Sequence, residues 1–364
     1  MRTGEAMAAG EKSRTRIGVL TFHRSVNYGS YWQARCLVEG LAARGHDVRL
    51  LDHRSPRVTA AEWRCAFQPT LPLRTPRAAM PAYGRKLRRL AAAVDRLPLS
   101  RPFPLDQPAA ADGVDAVVVG SDEVWNFRHP WFRCEPLFFG EGLPTRRLVS
   151  YAASFGAHDA DAGMDDRWRD LIARFDAVSV RDDNSRRLID GALGREPALV
   201  LDPCLQFPGP LPARPAPAAA PYVALYGHSF PDWFADRVRA AADALGLRVV
   251  SIGYLNDWAD EQAIDADPVT FAQGMAGAAA VATDFFHGCV FALAYDRPFV
   301  AAASPYRRNK LRDLTAKLGA TAHLVDAEVA DYRALLSTPL APEIARRIVA
   351  LRAEGDRWLD SALG

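Results

Sequence analysis

Residues 281–299 read Val-Ala-Thr-Asp-Phe-Phe-His-Gly-Cys-Val-Phe-Ala-Leu-Ala-Tyr-Asp-Arg-Pro-Phe. The apolar run from Ala278 to Ala282 stops at Thr283 and Asp284, the pattern of a buried strand arriving at a polar end. From Cys289 the chain is apolar again and reads as a helix that Asp296 and Pro298 bring to a stop. His287 therefore sits at a strand-to-helix corner, the place where open α/β sheets bind ligands. Gly288 lets a ligand approach the backbone closely, and the free N–H groups of a helix start favour an anion. Taken alone, His287 reads either as a ligand contact or as the polar member of a turn.

The same corner recurs along the chain. A strand over 17–22 leads through His23-Arg24-Ser25-Val26-Asn27-Tyr28-Gly29-Ser30 into a helix over 31–44 and a strand over 48–51, the length of a right-handed crossover unit. The loop has no GxGxxG, so it carries no dinucleotide fingerprint. Asn27 to Ser30 offer amide, hydroxyl and backbone donors that suit a sugar or a phosphate, or else cap the helix with no ligand. A strand over 116–119 runs into Gly120-Ser121-Asp122-Glu123-Val124-Trp125-Asn126, where a helix start is expected. Asp122 there reads as a general base or a sugar-hydroxyl acceptor, or as an N-cap. Strands follow over 149–153, 177–180 and 198–201. Arg181, at the end of the second, reads as a bidentate clamp for phosphate or carboxylate, or as a surface partner of Asp182 or Asp183.

Residues 54–101 differ in texture, with arginine dominating and only Glu62 and Asp95 as acidic counterweight. Four prolines from Pro69 to Pro81 predict loop in the first part, and a helix is expected over 83–97. This basic segment either draws an anionic substrate towards a neighbouring cleft or is a solvated face. Residues 207–220 form a stiff Pro/Ala-rich linker. Beyond it, strands over 222–226, 248–252, 278–282 and 298–302 alternate with helices over 232–245, 269–276 and 310–318, and a long helix over 342–362 closes the chain. The expected organisation is a disordered tail over 1–15, a first lobe over 16–206 with a basic insertion over 54–110, a linker over 207–220, a second lobe over 221–340 and a C-terminal helix over 341–364. Alternation of strand and helix in both halves predicts two doubly wound α/β lobes with a cleft between them.

The totals exclude several classes. A chain of 364 residues exceeds one typical domain, and 49% hydrophobic with 24% charged residues is an ordinary globular composition. A net charge of +2 carries no nucleic-acid signature. No apolar stretch approaches the roughly 18–20 residues that span a bilayer, and the N-terminus lacks the apolar segment of a secretory signal. Five scattered cysteines show no metal-ligand spacing and read as reduced thiols of a cytoplasmic protein.

Six blocks in order carry a family resemblance: Asn27-Tyr28-Gly29-Ser30 with Gln33; Val119 to Asn126; Ser150-Tyr151-Ala152-Ala153-Ser154-Phe155-Gly156; Ser179-Val180-Arg181; Leu201-Asp202-Pro203; and Thr283 to Gly288. Together they resemble the polysaccharide pyruvyl transferase family over about 17–320. The resemblance implies two Rossmann-like lobes in a GT-B-like arrangement, and transfer of pyruvyl from phosphoenolpyruvate to the hydroxyls of a sugar or related metabolite. It implies that His287, Asp122 and Arg181 lie in the cleft, and these are the expected catalytic residues. Substrate contacts are expected from Asn27, Tyr28, Gly29, Ser30, Ser121, Trp125, Ser154, Asp284, Phe285 and Gly288. Phe285 stands where relatives often carry serine or arginine, and Cys289 where they usually carry threonine. The expected chemistry uses no metal and no cofactor. Arg181 and backbone N–H groups hold the donor, His287 protonates the enol carbon, and Asp122 assists the attacking hydroxyl. The rival readings are a nucleotide-sugar glycosyltransferase and a non-catalytic sugar-binding descendant.

Overall fold

The computed structural model describes residues 14–111, 113–216, 220–328 and 331–364. Most of the expected tail, residues 1–13, lies outside them.

Buried parallel strands should read as short apolar runs, and those runs form two six-stranded sheets. The strands of the first part are β1 (Arg16–Leu20), β2 (Asp47–Leu50), β3 (His53–Arg54), β4 (Phe103–Pro104), β5 (Ala116–Val119), β6 (Arg147–Ala153), β7 (Ala177–Val180) and β8 (Ala198–Leu199). The first sheet runs β2-β1-β5-β6-β7-β8, all parallel, and β3 pairs with β4 apart from it. The second part holds β9 (Tyr222–Tyr226), β10 (Arg248–Ile252), β11 (Glu261–Ala263), β12 (Ala280–Thr283), β13 (Phe299–Ala302) and β14 (Leu324–Val325), in the order β11-β10-β9-β12-β13-β14, again all parallel. The fold is thus two doubly wound Rossmann-like lobes, as the alternation predicts. Strand order reverses between β1 and β5 in one sheet and between β9 and β12 in the other. Those switch points are where such sheets open a crevice.

The lobes share an apolar seam. The helix Tyr28–Ala43 packs on the second lobe, with the Tyr28 ring stacked 4.3 Å from Phe271 and its hydroxyl donating to Ala266 O at 2.6 Å. Trp32 Nε1 donates to Pro268 O at 3.0 Å. The terminal helix Pro342–Leu363 returns to the first lobe, where Arg147 Nε reaches Ala362 O at 2.7 Å and Arg44 Nη1 reaches Asp356 Oδ1 at 2.8 Å. Among the described residues, no helix is long and apolar enough to cross a membrane.

Three local readings change. The first helix starts at Tyr28, not Tyr31, because Asn27 Oδ1 caps it by accepting from the N–H groups of Gly29 and Ser30. No helix follows Asp122, which sits in the left-handed region at φ 75° and opens a turn instead. The proline-rich reading of the insertion missed a helix, Pro56–Phe67. Ser55 caps it through Val58 N–H, and Pro56 takes the first-turn position where its missing N–H costs nothing. The second insertion helix is Met80–Val94. Three of its four cations do not form a free basic face. Lys86 is buried and donates to Gly253 O at 2.7 Å, while Arg85 and Arg89 hold Asp265 at 2.7 and 3.3 Å. They fasten the insertion to the second lobe.

Candidate active site

The strand ends at the two switch points enclose a hollow of about 230 Å³ lined from both lobes. On the first-lobe side, Ser30 Oγ donates to Asp122 Oδ2 at 3.0 Å. Asp122 Oδ1 accepts from Arg181 Nη2 at 3.0 Å and from Glu123 N–H at 2.9 Å. Arg181 also donates through Nη1 to Asp202 Oδ2 at 3.2 Å, and its guanidinium lies 4.3 Å from the Phe286 ring. With its side chain 1% exposed, Arg181 is committed to two carboxylates and a ring face. Burial pushes Asp122 up, but Arg181, His287 and Lys310 outweigh it and hold the carboxyl well below its ordinary range. Asp202 is likewise pushed up by burial and drawn below its ordinary value by His287 and Arg181. Both are anions at neutral pH.

On the second-lobe side, His287 lies in the first turn of the helix Phe286–Ala294. Its Nε2 is 3.4 Å from Asp202 Oδ2 but off the line of a hydrogen bond, and the atom is buried without a hydrogen-bond partner. Its other edge rests on Gly29, where a Cβ would stand 2.1 Å from Nδ1. Asp284 Oδ2 accepts from Arg307 Nη1 at 2.7 Å, and the Arg307 guanidinium lies 4.3 Å from the Phe285 ring. Burial raises Asp284 to about 6 against the pull of Arg307. Burial, with Arg307 and Lys86, lowers His228 to about 3, so that imidazole is neutral at pH 7. Lys310 Nζ meets Glu123 Oε1 at 3.1 Å, and Tyr306 OH donates to Glu123 Oε2 at 3.4 Å.

Of the residues expected at the site, Asn27, Ser30, Asp122, Arg181, Phe285 and His287 line the hollow. The others stand behind it. Tyr28 belongs to the seam between the lobes, and Gly29 is the floor under His287. Ser121 Oγ donates to Gln33 Oε1 at 2.6 Å inside the first lobe. Trp125 is core, with its Nε1 on Phe138 O at 2.8 Å. Ser154 Oγ accepts from Gly156 N–H at 2.9 Å. Asp284 holds Arg307 from beneath, and Gly288 packs on Thr283, where a Cβ would meet Oγ1 at 2.0 Å. Glu62, Glu123, His228, Tyr306, Arg307 and Lys310 also line the hollow and were not singled out. For two of them the sequence carries the signal. β13 runs out into Ser304-Pro305-Tyr306-Arg307, the same kind of strand-end corner that points to His287.

Asp202, Cys204 and His287 bring one potential metal ligand each within 4.8 Å. The set suits a cation poorly. Arg181 already neutralises Asp202, and burial keeps the Cys204 thiol well above its ordinary pKa and therefore protonated.

Two wound lobes closing on an ionic hollow at their facing strand ends place the chain in the two-lobed α/β class. The chain belongs to the polysaccharide pyruvyl transferase family, whose pattern matches residues 27–304. Among solved structures it is similar to the glycotransferase of kitacinnamycin, at 17% identity and a TM-score of 0.45, with 94% of this chain and 95% of that one covered. It is similar to the glycosyltransferase SnogD from Streptomyces nogalater, at 16% identity and a TM-score of 0.41, with 94% and 95% covered. It is also similar to the glycosyltransferase SsfS6 from Streptomyces sp. SF2575, at 13% identity and a TM-score of 0.45, with 94% and 100% covered. No curated protein matches the sequence.

Proposed function

We propose that the chain transfers the pyruvyl group of phosphoenolpyruvate to hydroxyls of a sugar or related metabolite in the cytoplasm, with release of phosphate. One observation carries the reading: a hollow of about 230 Å³ presents the Arg307 guanidinium, held by Asp284 through one nitrogen only, beside His287 and the Glu123-paired Lys310. That suits a small dianion and is tight for a nucleotide sugar. Arg307 engages Asp284 through Nη1, which leaves its other nitrogens available to a phosphate or carboxylate among the described residues. The cation absent from position 285 is thus supplied from the loop after β13, stacked on Phe285.

In this reading Arg307 and Lys310 hold the donor, and Arg181 is a positioning residue. His287, faced by the Asp202 carboxylate, gives a proton to the enol carbon. The acceptor oxygen bonds to the cationic carbon so formed and its proton goes to His287, which has given its own away. The carbon–oxygen bond to phosphate then breaks, and a second hydroxyl closes the ketal as its proton goes to the departing phosphate. No metal or cofactor takes part.

Ligand stabilisation tests this. A ligand that binds only the folded chain raises its Tm by mass action. Phosphoenolpyruvate is expected to raise Tm, and Arg307→Ala to abolish the rise. Stabilisation by UDP or dTDP, with none by phosphoenolpyruvate, would replace the reading with a nucleotide-sugar glycosyltransferase.

A further inference from the structure

A second hollow of about 290 Å³ adjoins the first, and the two share Ser25, Val26 and Glu62 as a common wall. We infer that this second hollow is the acceptor site and takes a hydroxyl-bearing molecule that carries an uncharged, ring-sized apolar group. The inference rests on the group-transfer reading above but not on the identity of the donor.

The lining decides the chemistry. The insertion helices Pro56–Phe67 and Met80–Val94, with Phe132, contribute Val58, Leu87, Leu90, Ala91, Val94 and the Phe132 ring. Trp63 also lines it and is 51% exposed, although a large aromatic usually gains by burial. The cations of the lining already face carboxylates. Arg24 Nη1 meets Asp95 at 3.1 Å, and both Arg24 and Arg54 close on the buried Asp52. Glu62 accepts from Ser25 Oγ at 2.7 Å, Trp131 Nε1 at 2.8 Å and Val26 N–H at 3.1 Å. Arg24, Arg54, Asp52 and Asp95 balance in charge, so the arginine-rich sequence brings no excess of cations to this hollow. An apolar group covering Trp63 and the leucines would gain about 25 cal/mol for each Å² removed from water. The shared wall at Glu62 is the side on which its hydroxyl-bearing end must lie to reach the donor.

Calorimetry on the full chain tests the site with phenyl β-D-glucopyranoside and methyl β-D-glucopyranoside as probes. Phosphoenolpyruvate is titrated separately. The phenyl glycoside is expected to bind about tenfold or more tightly than the methyl one. Trp63→Ala removes the exposed ring, and Ala91→Trp fills the hollow from an exposed helix position. Each is expected to erase the phenyl advantage and to leave the phosphoenolpyruvate Kd within about twofold. Equal affinity for the two glycosides, no binding of either, or an advantage that survives in both variants would overturn the inference. A phenyl advantage lost in the variants, with no phosphoenolpyruvate binding to the parent chain, would uphold the acceptor site and remove the pyruvyl donor instead.

Discussion

Arg181 and His287 meet on a single atom: Asp202 Oδ2 lies 3.2 Å from the guanidinium Nη1 and 3.4 Å from the imidazole Nε2. One group comes from each lobe, so this carboxylate ties the lobes together at the site. Asp202→Asn would leave a buried cation short of one partner, a loss that costs about 3–5 kcal/mol. A urea titration should show that drop, and turnover should fall with it. The pH dependence follows from the depressed carboxyls of Asp202 and Asp122. Their stabilisation is present above the unfolded carboxyl value near 4 and disappears as pH falls through the lower folded values. Stability should therefore be lost below about pH 4, and less steeply in Asp202→Asn.

Gly29 has no side chain because His287 occupies the space. A methyl group there would stand 2.1 Å from Nδ1, and the ring would have to move. Gly29→Ala should reduce turnover by about 10²–10⁴-fold, the usual cost of losing an acid–base group, while circular dichroism shows an intact fold. In His287→Ala the added methyl meets no ring. The double variant should then be no worse than His287→Ala alone, a non-additivity expected of residues in contact. Multiplying losses in the double variant would separate the two residues.

What could be read from the chain was local. The strands β5, β7 and β12 each end in a change from apolar to polar residues within three or four positions, which is why Asp122, Arg181 and His287 are legible as strand-end residues. What escaped depends on partners distant in the chain. Tyr28 and Trp125 sit at corners identical in pattern to the lining residues, and only the packing of Phe271 on one and of Phe139 and Phe155 on the other makes them core. Arg85, Lys86 and Arg89 looked like a solvated face or an anion trap because Asp265 and Gly253 belong to the other lobe. Glu62 was a counter-charge in an arginine-rich run until Ser25 and Trp131 gathered on it.

Lys86 makes a second pH dependence. Its Nζ lies 3.8 Å from the Tyr254 ring centroid as well as on Gly253 O, and burial lowers it to about 7, against a slight pull from Cys65. Between that value and about 10.4 the unfolded chain holds a proton that the folded one has released, so stability rises with pH across the window. Below the window both states are charged and the burial penalty is complete. The unfolding free energy of the parent chain minus that of Lys86→Met should grow from pH 7 to pH 10. A flat difference would show that the tyrosine faces keep the ammonium charged in the fold.

Under the proposed pyruvyl transfer, Arg307 separates donor binding from chemistry. Its side chain is 22% exposed, bonded to Asp284 on one nitrogen and stacked on Phe285, so it is oriented before any ligand arrives. A charge-assisted hydrogen bond contributes about 1.5–3 kcal/mol, which corresponds to roughly 10–100-fold in affinity. Arg307→Ala should raise the KM for phosphoenolpyruvate by that factor and change kcat far less, because the residue grips the donor equally before and during reaction. Phe285→Ala keeps the charge and loses only the ring beneath it, so its effect on KM should have the same direction and smaller size. His287→Ala should show the reverse split, with kcat collapsing at nearly constant KM. Steady-state phosphate release at saturating acceptor measures all three. If Arg307→Ala lowers kcat and leaves KM alone, the guanidinium acts in the transition state and not as the donor's anchor.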